Sequence, residues 1–299
     1  MKVLVTGADG QLGQTLLENK NTSYELIGLN KTQLNLLDHE KCEKKILDIR
    51  PDWIINAAAF TAVDDAENNR IKAYSINATA VETLAKTISS YGGRLIHIST
   101  DFVFDGKKKK PYSTYDYCNP VNVYGASKLK GEHLALRYPG TIVLRTSWLY
   151  STKGKNFCSK MIDLMNKFSK TKQSICVVND QLGSPTNAIE LSRICWKIID
   201  KNINLDPKKS ILHWCNKGII SWYDFAMSIK KYGKYYGLIN KLPLIKPIRS
   251  CEYKFIAKRP MFSALDCTTT VESLKVIQIN WEDALEITLK GIAQRKQDL

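Results

Sequence analysis

The sequence predicts an α/β fold, with a doubly wound parallel sheet and a smaller C-terminal α/β lobe. Short apolar runs alternate with longer helical patterns through the first half of the 299 residues, which is typical of strand–helix–strand units. The first run leads directly into a turn with three glycines, and after about residue 150 the alternation becomes less regular. We therefore expect residues 1–150 to form the sheet domain. Residues 151–299 should form mainly the second lobe, with some segments returning to the sheet.

Apolar runs in the first half predict five parallel strands, at residues 2–6, 25–29, 53–56, 94–99 and 141–145. They are rich in Val, Ile and Leu, as expected for strands that are covered on both faces. The helical patterns between them begin near Gln11 and cover residues 38–49 and 70–90. The second half carries shorter strand candidates and longer helices. We predict strands at 174–178, 211–215 and 242–248, and helices at 187–201, 221–232 and 281–294.

The composition indicates which kinds of partner and which cell compartment to expect. The formal net charge is +15, yet the basic residues are mostly lysines spread along the chain, with no basic helix, so we expect no nucleic-acid partner. No apolar run approaches the ~20 residues needed to cross a bilayer, and we expect no membrane partner. The eight cysteines form no C-x-x-C pair and the four histidines are not grouped. This pattern favours reduced cytoplasmic thiols and predicts no metal site.

The glycine-rich turn predicts a dinucleotide site of the Rossmann type. Glycines after a strand allow a tight turn, and the following helix N-terminus stabilises a pyrophosphate. The spacing is G-x-x-G-x-x-G at the first strand–helix junction, which makes the prediction stronger than the bare pattern would. The candidate residues of this turn are Gly7, Asp9, Gly10, Gln11, Leu12 and Gly13.

The end of the second predicted strand bears on the choice of cofactor. Enzymes that prefer NAD usually carry an acidic residue here, which binds the ribose 2′-hydroxyl. This chain has Asn30 and Lys31 instead, so a 2′-phosphate is favoured and we expect NADPH, with NADH as the alternative. Lys31 is equally compatible with a solvated loop position.

A Tyr-x-x-x-Lys pattern predicts proton-transfer chemistry. Tyr124 and Lys128 would lie one helical turn apart on the same face. A nearby ammonium lowers the pKa of a phenol, which would prepare Tyr124 to deliver a proton. Thr100 and Asp101 follow the fourth predicted strand, where ligands bind in parallel sheets, and a hydroxyl there suits a carbonyl oxygen.

Together these motifs resemble the extended short-chain dehydrogenase/reductases, and in particular the dTDP-4-dehydrorhamnose reductase family. The resemblance rests on the glycine turn, on the segment 99–106 (Ser-Thr-Asp-Phe-Val-Phe-Asp-Gly) and on Tyr124-x-x-x-Lys128. Further similar segments are found at residues 56–64, 145–150, 180–186, 258–260 and 263–266. The similarity therefore covers essentially the whole chain.

The resemblance implies roles that the residues alone do not establish. Tyr124 would donate the proton. Lys128 would lower the pKa of Tyr124 and bind the ribose. Thr100 would orient the keto oxygen of a nucleotide-linked sugar. Residues expected at the cofactor are Leu37, Asp38, Ala57, Ala58, Ala59 and Asn77. Residues expected at the substrate are Val63, Asp101, Trp148, Asn156 and Arg259. Taken singly, Trp148 would suit a core position and Arg259 a surface ion pair equally well.

Several positions depart from the family pattern. Some members are magnesium-bridged dimers, and the places of their carboxylates hold Thr15 and Ile189 here, so bound Mg²⁺ is doubtful and either a monomer or a homodimer is expected. Phe60 and Phe102 replace tyrosines and keep the ring. The expected activity is NADPH-dependent reduction of a dTDP-linked 4-keto sugar.

Two alternatives to this activity remain. One is a reductase or epimerase acting on another nucleotide-linked 4-keto sugar, and bifunctional members tend to carry a cysteine where Asp101 stands. The other is a non-catalytic regulatory subunit of the methionine adenosyltransferase β type. The presence of Thr100, Tyr124 and Lys128 together favours chemistry.

Overall fold

A central parallel sheet organises the protein. The computed structural model describes residues 1–19, 23–168, 173–202 and 210–297. The strands of these residues are β1 (Lys2–Thr6), β2 (Glu25–Leu29), β3 (Trp53–Asn56), β4 (Arg94–Thr100), β5 (Thr141–Thr146), β6 (Leu149–Tyr150), β7 (Ile175–Val178), β8 (Leu182–Gly183), β9 (Thr186–Asn187), β10 (Ile211–His213), β11 (Ile220–Ser221) and β12 (Ile245–Ile248).

Six of the described strands form one sheet in the order β10-β5-β4-β3-β1-β2, with every neighbouring pair parallel. The chain starts at β1 inside the sheet, moves to the β2 edge and then crosses to β3. The direction of winding therefore reverses between β1 and β3, the kind of switch point at which doubly wound sheets bind ligands. This topology confirms the predicted fold class.

Helices cover both faces of the sheet and build the second lobe. The described helices are α1 (Gln11–Glu18), α2 (His39–Ile49), α3 (Val63–Asn68), α4 (Arg70–Tyr74), α5 (Ala80–Ser89), α6 (Val123–Ala135), α7 (Phe157–Phe168), α8 (Ala188–Asp200), α9 (Trp222–Tyr235), α10 (Thr268–Leu274) and α11 (Trp281–Gln297). None of the helices in the described ranges is both long and apolar enough to span a bilayer.

Alternating side chains of the strands separate two cores. Val3 and Val5 pack with α1 and α8 on one face, whereas Leu4 packs with α2 and α5 on the other. This alternation follows from the two-residue period of a strand. A third core joins α7, α9 and α11 with β7, and it forms the second lobe. The strand β10 and the helix α8 come from the second half of the chain but pack with the central sheet.

The predicted single helix over residues 70–90 is interrupted. A π-helical turn at Ser75–Thr79 separates α4 from α5. Within it, Asn77 accepts a hydrogen bond from the Phe60 backbone N–H at 2.8 Å and donates to the Phe60 carbonyl at 3.0 Å. Its Nδ2 also lies 3.0 Å from the Ser127 hydroxyl on α6. Periodicity did not reveal this turn because its stabilising partners are distant in sequence, and such turns are frequent at functional sites.

Candidate active site

A cavity of about 730 Å³ lies along the carboxyl ends of the central strands. Its wall includes many of the residues expected at a cofactor. These are Gly7, Asp9, Gly10, Gln11, Leu12, Lys31, Ala57, Ala58, Ala59, Tyr124 and Lys128. Thr100, Asp101 and Trp148, which were expected at the substrate, also line this cavity. Its position beside β1 and β3 matches the ligand crevice expected at the switch point of a doubly wound sheet.

In the glycine turn, the backbone at Gly13 lies close to the backbone at Gly7. A Cβ on Gly13 would lie 2.1 Å from the Gly7 carbonyl oxygen, so only glycine allows α1 to start this tightly against the turn. Gly10 is the N-cap of α1 and adds no side chain there. Gly10, Gln11 and Leu12 line the cavity at the N-terminus of α1, and the positive end of a helix suits a pyrophosphate.

Two lysines line this cavity as well. Lys31 and Lys72 line it together with Leu34, Leu36 and Ile76, a set of apolar side chains that suits a flat base. Sequence reasoning identified Lys31 and missed Lys72, which reaches the site from α4 rather than from the strand β2.

Other residues expected at the cofactor have structural roles beside the cavity. The Asn30 side chain accepts hydrogen bonds from the Thr32 and Gln33 backbone N–H groups and shapes the turn after β2. Asp38 caps α2 and pairs with Lys41, and this lysine lowers the pKa of the Asp38 carboxyl. Asn30, Leu37 and Asp38 do not line the cavity. Their contact with a cofactor remains a prediction.

A second cavity of about 550 Å³ lies between the sheet and the second lobe. Val63 and Arg259, both predicted at the substrate, line it. Arg259 donates to Asp64 at 2.7 Å, and its guanidinium lies 5.2 Å from the Phe255 ring centre. A cation beside aromatic rings suits a nucleotide with a diphosphate. Residues of this wall that sequence reasoning missed include Phe157, Lys160, Gln181, Trp222, Tyr253 and Ser263.

Asn156 lies outside both described cavity walls. Its Nδ2 donates to Gln11 Oε1 at 3.0 Å and to the Ser151 carbonyl at 3.0 Å. It thereby joins the segment after β6 to the first turn of α1. The structure thus gives Asn156 a contact with the cofactor side of the site, and its contact with substrate remains a prediction.

The two cavities meet at a few shared residues, which are Thr61, Thr100, Asp101, Tyr124 and Trp148. Trp148 has a left-handed backbone, with φ +46°, and its ring stacks on Trp222 at 3.5 Å between centres. A left-handed tryptophan is a strained conformation, and such strain is concentrated at functional sites. Any two ligands that fill the two cavities would come into contact here.

The helix α6 places Tyr124 at this junction. Asn122 caps the helix by accepting from the Gly125 backbone N–H at 2.8 Å. A Cβ on Gly125 would lie 2.1 Å from the Phe102 carbonyl oxygen, so glycine lets α6 approach the segment after β4. The Phe102 ring then packs edge-on against Tyr124, with 5.7 Å between centres.

The pKa of Tyr124 departs from the expectation. We predicted that the Lys128 ammonium lowers it, but burial of the phenol raises its pKa to about 12, and the nearby Asp101 adds to the rise. The hydrogen bond with the Thr100 side chain acts in the opposite direction. Desolvation favours the neutral phenol, and this effect is larger than that of the Thr100 hydrogen bond, which favours the phenolate. Tyr124 therefore keeps its proton at neutral pH.

The Lys128 ammonium makes its contacts on the strand side of α6. It donates to the Ile98 carbonyl at 2.7 Å and lies 3.2 Å from His97 Nε2. Burial lowers the pKa of Lys128 to about 8, while the nearby Glu132 acts to raise it. The group thus titrates close to neutral pH, where its charge is sensitive to its partners.

The buried carboxyl of Asp101 should make the stability of the fold depend on pH. Burial raises the pKa of its carboxyl to about 7, against the opposing effect of the Ser263 and Thr100 hydroxyls. In the unfolded chain this carboxyl loses its proton near pH 4. Asp101 therefore lowers the free energy of unfolding more and more as pH rises from about 4 to about 7. The full penalty, roughly 4 kcal/mol, is present above that window.

Asp101→Asn is expected to remove this penalty, because the neutral amide keeps the shape of the protonated acid. The variant should melt at a higher temperature than the wild type at pH 8 and at nearly the same temperature at pH 4.5. Differential scanning calorimetry at both values tests this. An equal difference in melting temperature between the variant and the wild type at the two pH values would contradict a raised pKa of Asp101.

The described residues hold no group of three or more His, Cys, Asp or Glu arranged for a metal ion. Thr15, which stands at one magnesium-ligand place of the family, donates its hydroxyl to the Gln11 carbonyl at 2.7 Å inside α1. Ile189, at the other place, is an exposed apolar residue.

Comparisons with known proteins agree on one family. Residues 1–294 match the family model described as RmlD substrate binding domain. A dTDP-4-dehydrorhamnose reductase of Aggregatibacter actinomycetemcomitans is 36% identical, over 95% of this chain and 97% of that protein. A solved dTDP-4-dehydrorhamnose reductase from Clostridium acetobutylicum superposes with a TM-score of 0.88 at 35% identity, covering 98% of this chain and 99% of that one. The Bacillus anthracis enzyme, solved with NADP, gives 0.87 at 33% identity, over 96% and 98%.

Proposed function

The chain belongs to the RmlD family of dTDP-4-dehydrorhamnose reductases, and on this premise we propose that it reduces dTDP-4-dehydro-6-deoxy-L-mannose to dTDP-L-rhamnose with NADPH. The observation that carries the proposal is that Thr100, Tyr124 and Trp148 border both cavities. A reductase needs such a point, where a dinucleotide and a carbonyl substrate are held in contact.

The residues of the larger cavity fit NADPH. The backbone of Gly10, Gln11 and Leu12 would hold the pyrophosphate at the N-terminus of α1. Lys31 and Lys72 would hold the 2′-phosphate, because both are cations in the wall of this cavity. The absence of an acidic residue at Asn30 and Lys31 supports NADPH over NADH for the same reason.

Tyr124 supplies the proton for the reaction. When bound, NADPH supplies the hydride that reduces C4 of the keto sugar. The oxygen at C4 then needs a proton, and the Tyr124 phenol still carries one at neutral pH because burial raises its pKa to about 12. Thr100 hydrogen-bonds to this phenol and orients the keto oxygen. Lys128 lies one turn further along the same helix, and its positive charge would help to stabilise the phenolate that remains.

The smaller cavity supplies the contacts for the nucleotide-linked sugar. Arg259 and Lys160 offer positive charge to the diphosphate, and the rings of Tyr253 and Phe255 offer faces for the base. Val63 and Trp148 border the sugar near Tyr124. This division of roles supports a nucleotide sugar as substrate and leaves another base in place of thymine as the alternative.

One assay tests the function and its alternatives. NADPH consumption is followed with dTDP-4-keto-6-deoxyglucose, with and without a separate 3,5-epimerase, and in parallel with NADH. We expect consumption only when the epimerase is present, with the higher kcat/KM for NADPH. Equal consumption without the epimerase would indicate a bifunctional enzyme or another substrate. No consumption under either condition would favour the regulatory-subunit alternative.

The proposed product is a precursor for cell-surface polysaccharides, so we place the chain in that biosynthetic context. The described cysteines are all free thiols, which supports a reducing, cytoplasmic compartment. A monomer or a homodimer without bridging Mg²⁺ is the assembly we expect.

A further inference from the structure

Buried polar side chains connect the catalytic helix with the glycine turn. Lys128 Nζ lies 3.2 Å from His97 Nε2, and His97 Nδ1 lies 3.0 Å from Asn56 Nδ2. Asn56 Oδ1 in turn lies 2.6 Å from the Thr6 hydroxyl. Each of these four residues is at most 1% exposed. Thr6 directly precedes Gly7, so the connection reaches from the ammonium to the start of the cofactor turn.

The proton positions along this chain depend on the charge of Lys128. An ammonium only donates, so His97 Nε2 must accept from it and the imidazole proton must lie on Nδ1. Nδ1–H then needs an acceptor, which Asn56 provides if its amide is turned to present the oxygen. A neutral amine at Lys128 accepts as well as donates, so the reverse order also becomes available, in which Asn56 donates to His97 through Nδ2. The same heavy-atom distances serve both arrangements.

His97 suits the acceptor role because it stays neutral. Burial lowers its pKa well below the usual value, and the positive charge of Lys128 lowers it further. A neutral imidazole that accepts a hydrogen bond from an ammonium stabilises the charged form of the lysine. The ammonium also donates to the Ile98 carbonyl, so losing His97 removes one of its two hydrogen bonds within the described residues.

We propose that His97 is a positioning residue, which holds Lys128 as a charged donor and, through Asn56 and Thr6, links that charge to the glycine turn. This inference rests on the proposed reductase function, because one of its readouts is turnover. It extends that function by assigning a role to side chains that border neither cavity.

Other charged groups around Lys128 must be considered in any pH effect. Glu132 lies on the same helix and raises the pKa of Lys128, but Arg145 on β5 pairs with it at 2.6 Å. Asp101 follows β4 and titrates near 7. None of these groups changes when His97 is replaced, so the effect of His97 is isolated by comparing variants.

Three variants separate positioning from packing. His97→Leu removes the acceptor, whereas His97→Gln places an amide oxygen near the former Nε2 position. Asn56→Asp offers an acceptor to both neighbours, which favours the arrangement with a charged Lys128. The measurements are the alkaline limb of the kcat–pH profile, the NADPH dissociation constant between pH 6 and 9, and the melting temperature of the free protein.

We expect His97→Leu to move the alkaline limb down by about one pH unit and to weaken NADPH binding at pH 8 by about fivefold. His97→Gln should restore both, and Asn56→Asp should move the limb upwards. A role in packing alone predicts lower melting temperatures without shifts of opposite sign, and that result would overturn the proposal.

The two proposals fail differently. Absence of wild-type turnover would remove the proposed function, and the pH midpoint of NADPH binding then decides this inference. A midpoint lowered in His97→Leu and restored in His97→Gln supports the positioning role. An unchanged midpoint overturns it.

Discussion

Replacing Tyr124 with phenylalanine is expected to lower kcat for reduction by about 10²–10⁴-fold, the usual contribution of a positioned proton donor. The variant keeps the ring that packs against Phe102 and loses only the hydroxyl that borders both cavities. No other phenol lines both of the described cavities, so no equivalent donor takes over. Steady-state kinetics with the epimerase-coupled substrate measure the loss.

The NADPH dissociation constant should change by less than about threefold in Tyr124→Phe, because the pyrophosphate and adenine contacts remain. Tyr235→Phe, a change of the same atoms at an exposed site on α9, serves as the matched control and should keep wild-type turnover. Near-normal kcat in Tyr124→Phe would contradict the assignment of the proton donor.

Replacing Glu132 with glutamine is expected to destabilise the fold by about 3–5 kcal/mol. Glu132 on α6 and Arg145 on β5 are 0% and 2% exposed, and they are joined by charge-assisted hydrogen bonds of 2.6 and 3.0 Å. The Ser99 hydroxyl also donates to the same carboxylate. Removing the negative charge would leave a guanidinium buried without compensation, because the other polar side chains that it contacts, Cys118 and His213, are neutral.

Urea unfolding at pH 7 measures this effect, and two further variants interpret it. The double change Glu132→Leu with Arg145→Met removes both charges and should recover much of the loss. Glu282→Gln breaks the exposed pair with Lys231 and should cost less than about 1 kcal/mol. A loss in Glu132→Gln as small as in this surface variant would show that the buried pair is not needed for stability.

The proposed chemistry depends on how the fold uses desolvation. Burial raises the pKa of Tyr124 to about 12 and lowers that of Lys128 to about 8, so the acid stays protonated while the base lies close to its titration range. These opposite shifts have one cause, because burial penalises the charged form of each group. The contacts of Lys128 with His97 and Ile98 therefore matter for keeping it charged.

Local patterns were sufficient for much of the fold. The predicted bounds of β1, β2 and β3 match the structure, because buried strands appear as continuous apolar runs ended by turns. The helix over residues 70–90 was predicted only in part, since Asn77 and Phe60 fold back on each other and introduce a π turn. Lys72 was missed at the cofactor cavity because nothing in its local sequence distinguishes it from a solvated lysine.

The sequence by itself determined the doubly wound fold, the glycine turn and the spacing that sets Tyr124 and Lys128 one turn apart. These features depend on periodicity and on glycine conformations, which act over a few residues. The tertiary structure alone decided that Tyr124 is a weaker acid than free tyrosine and that Lys128 contacts His97, thirty-one residues away. Both outcomes depend on which distant groups exclude water around a side chain, and desolvation is a property of the packed molecule.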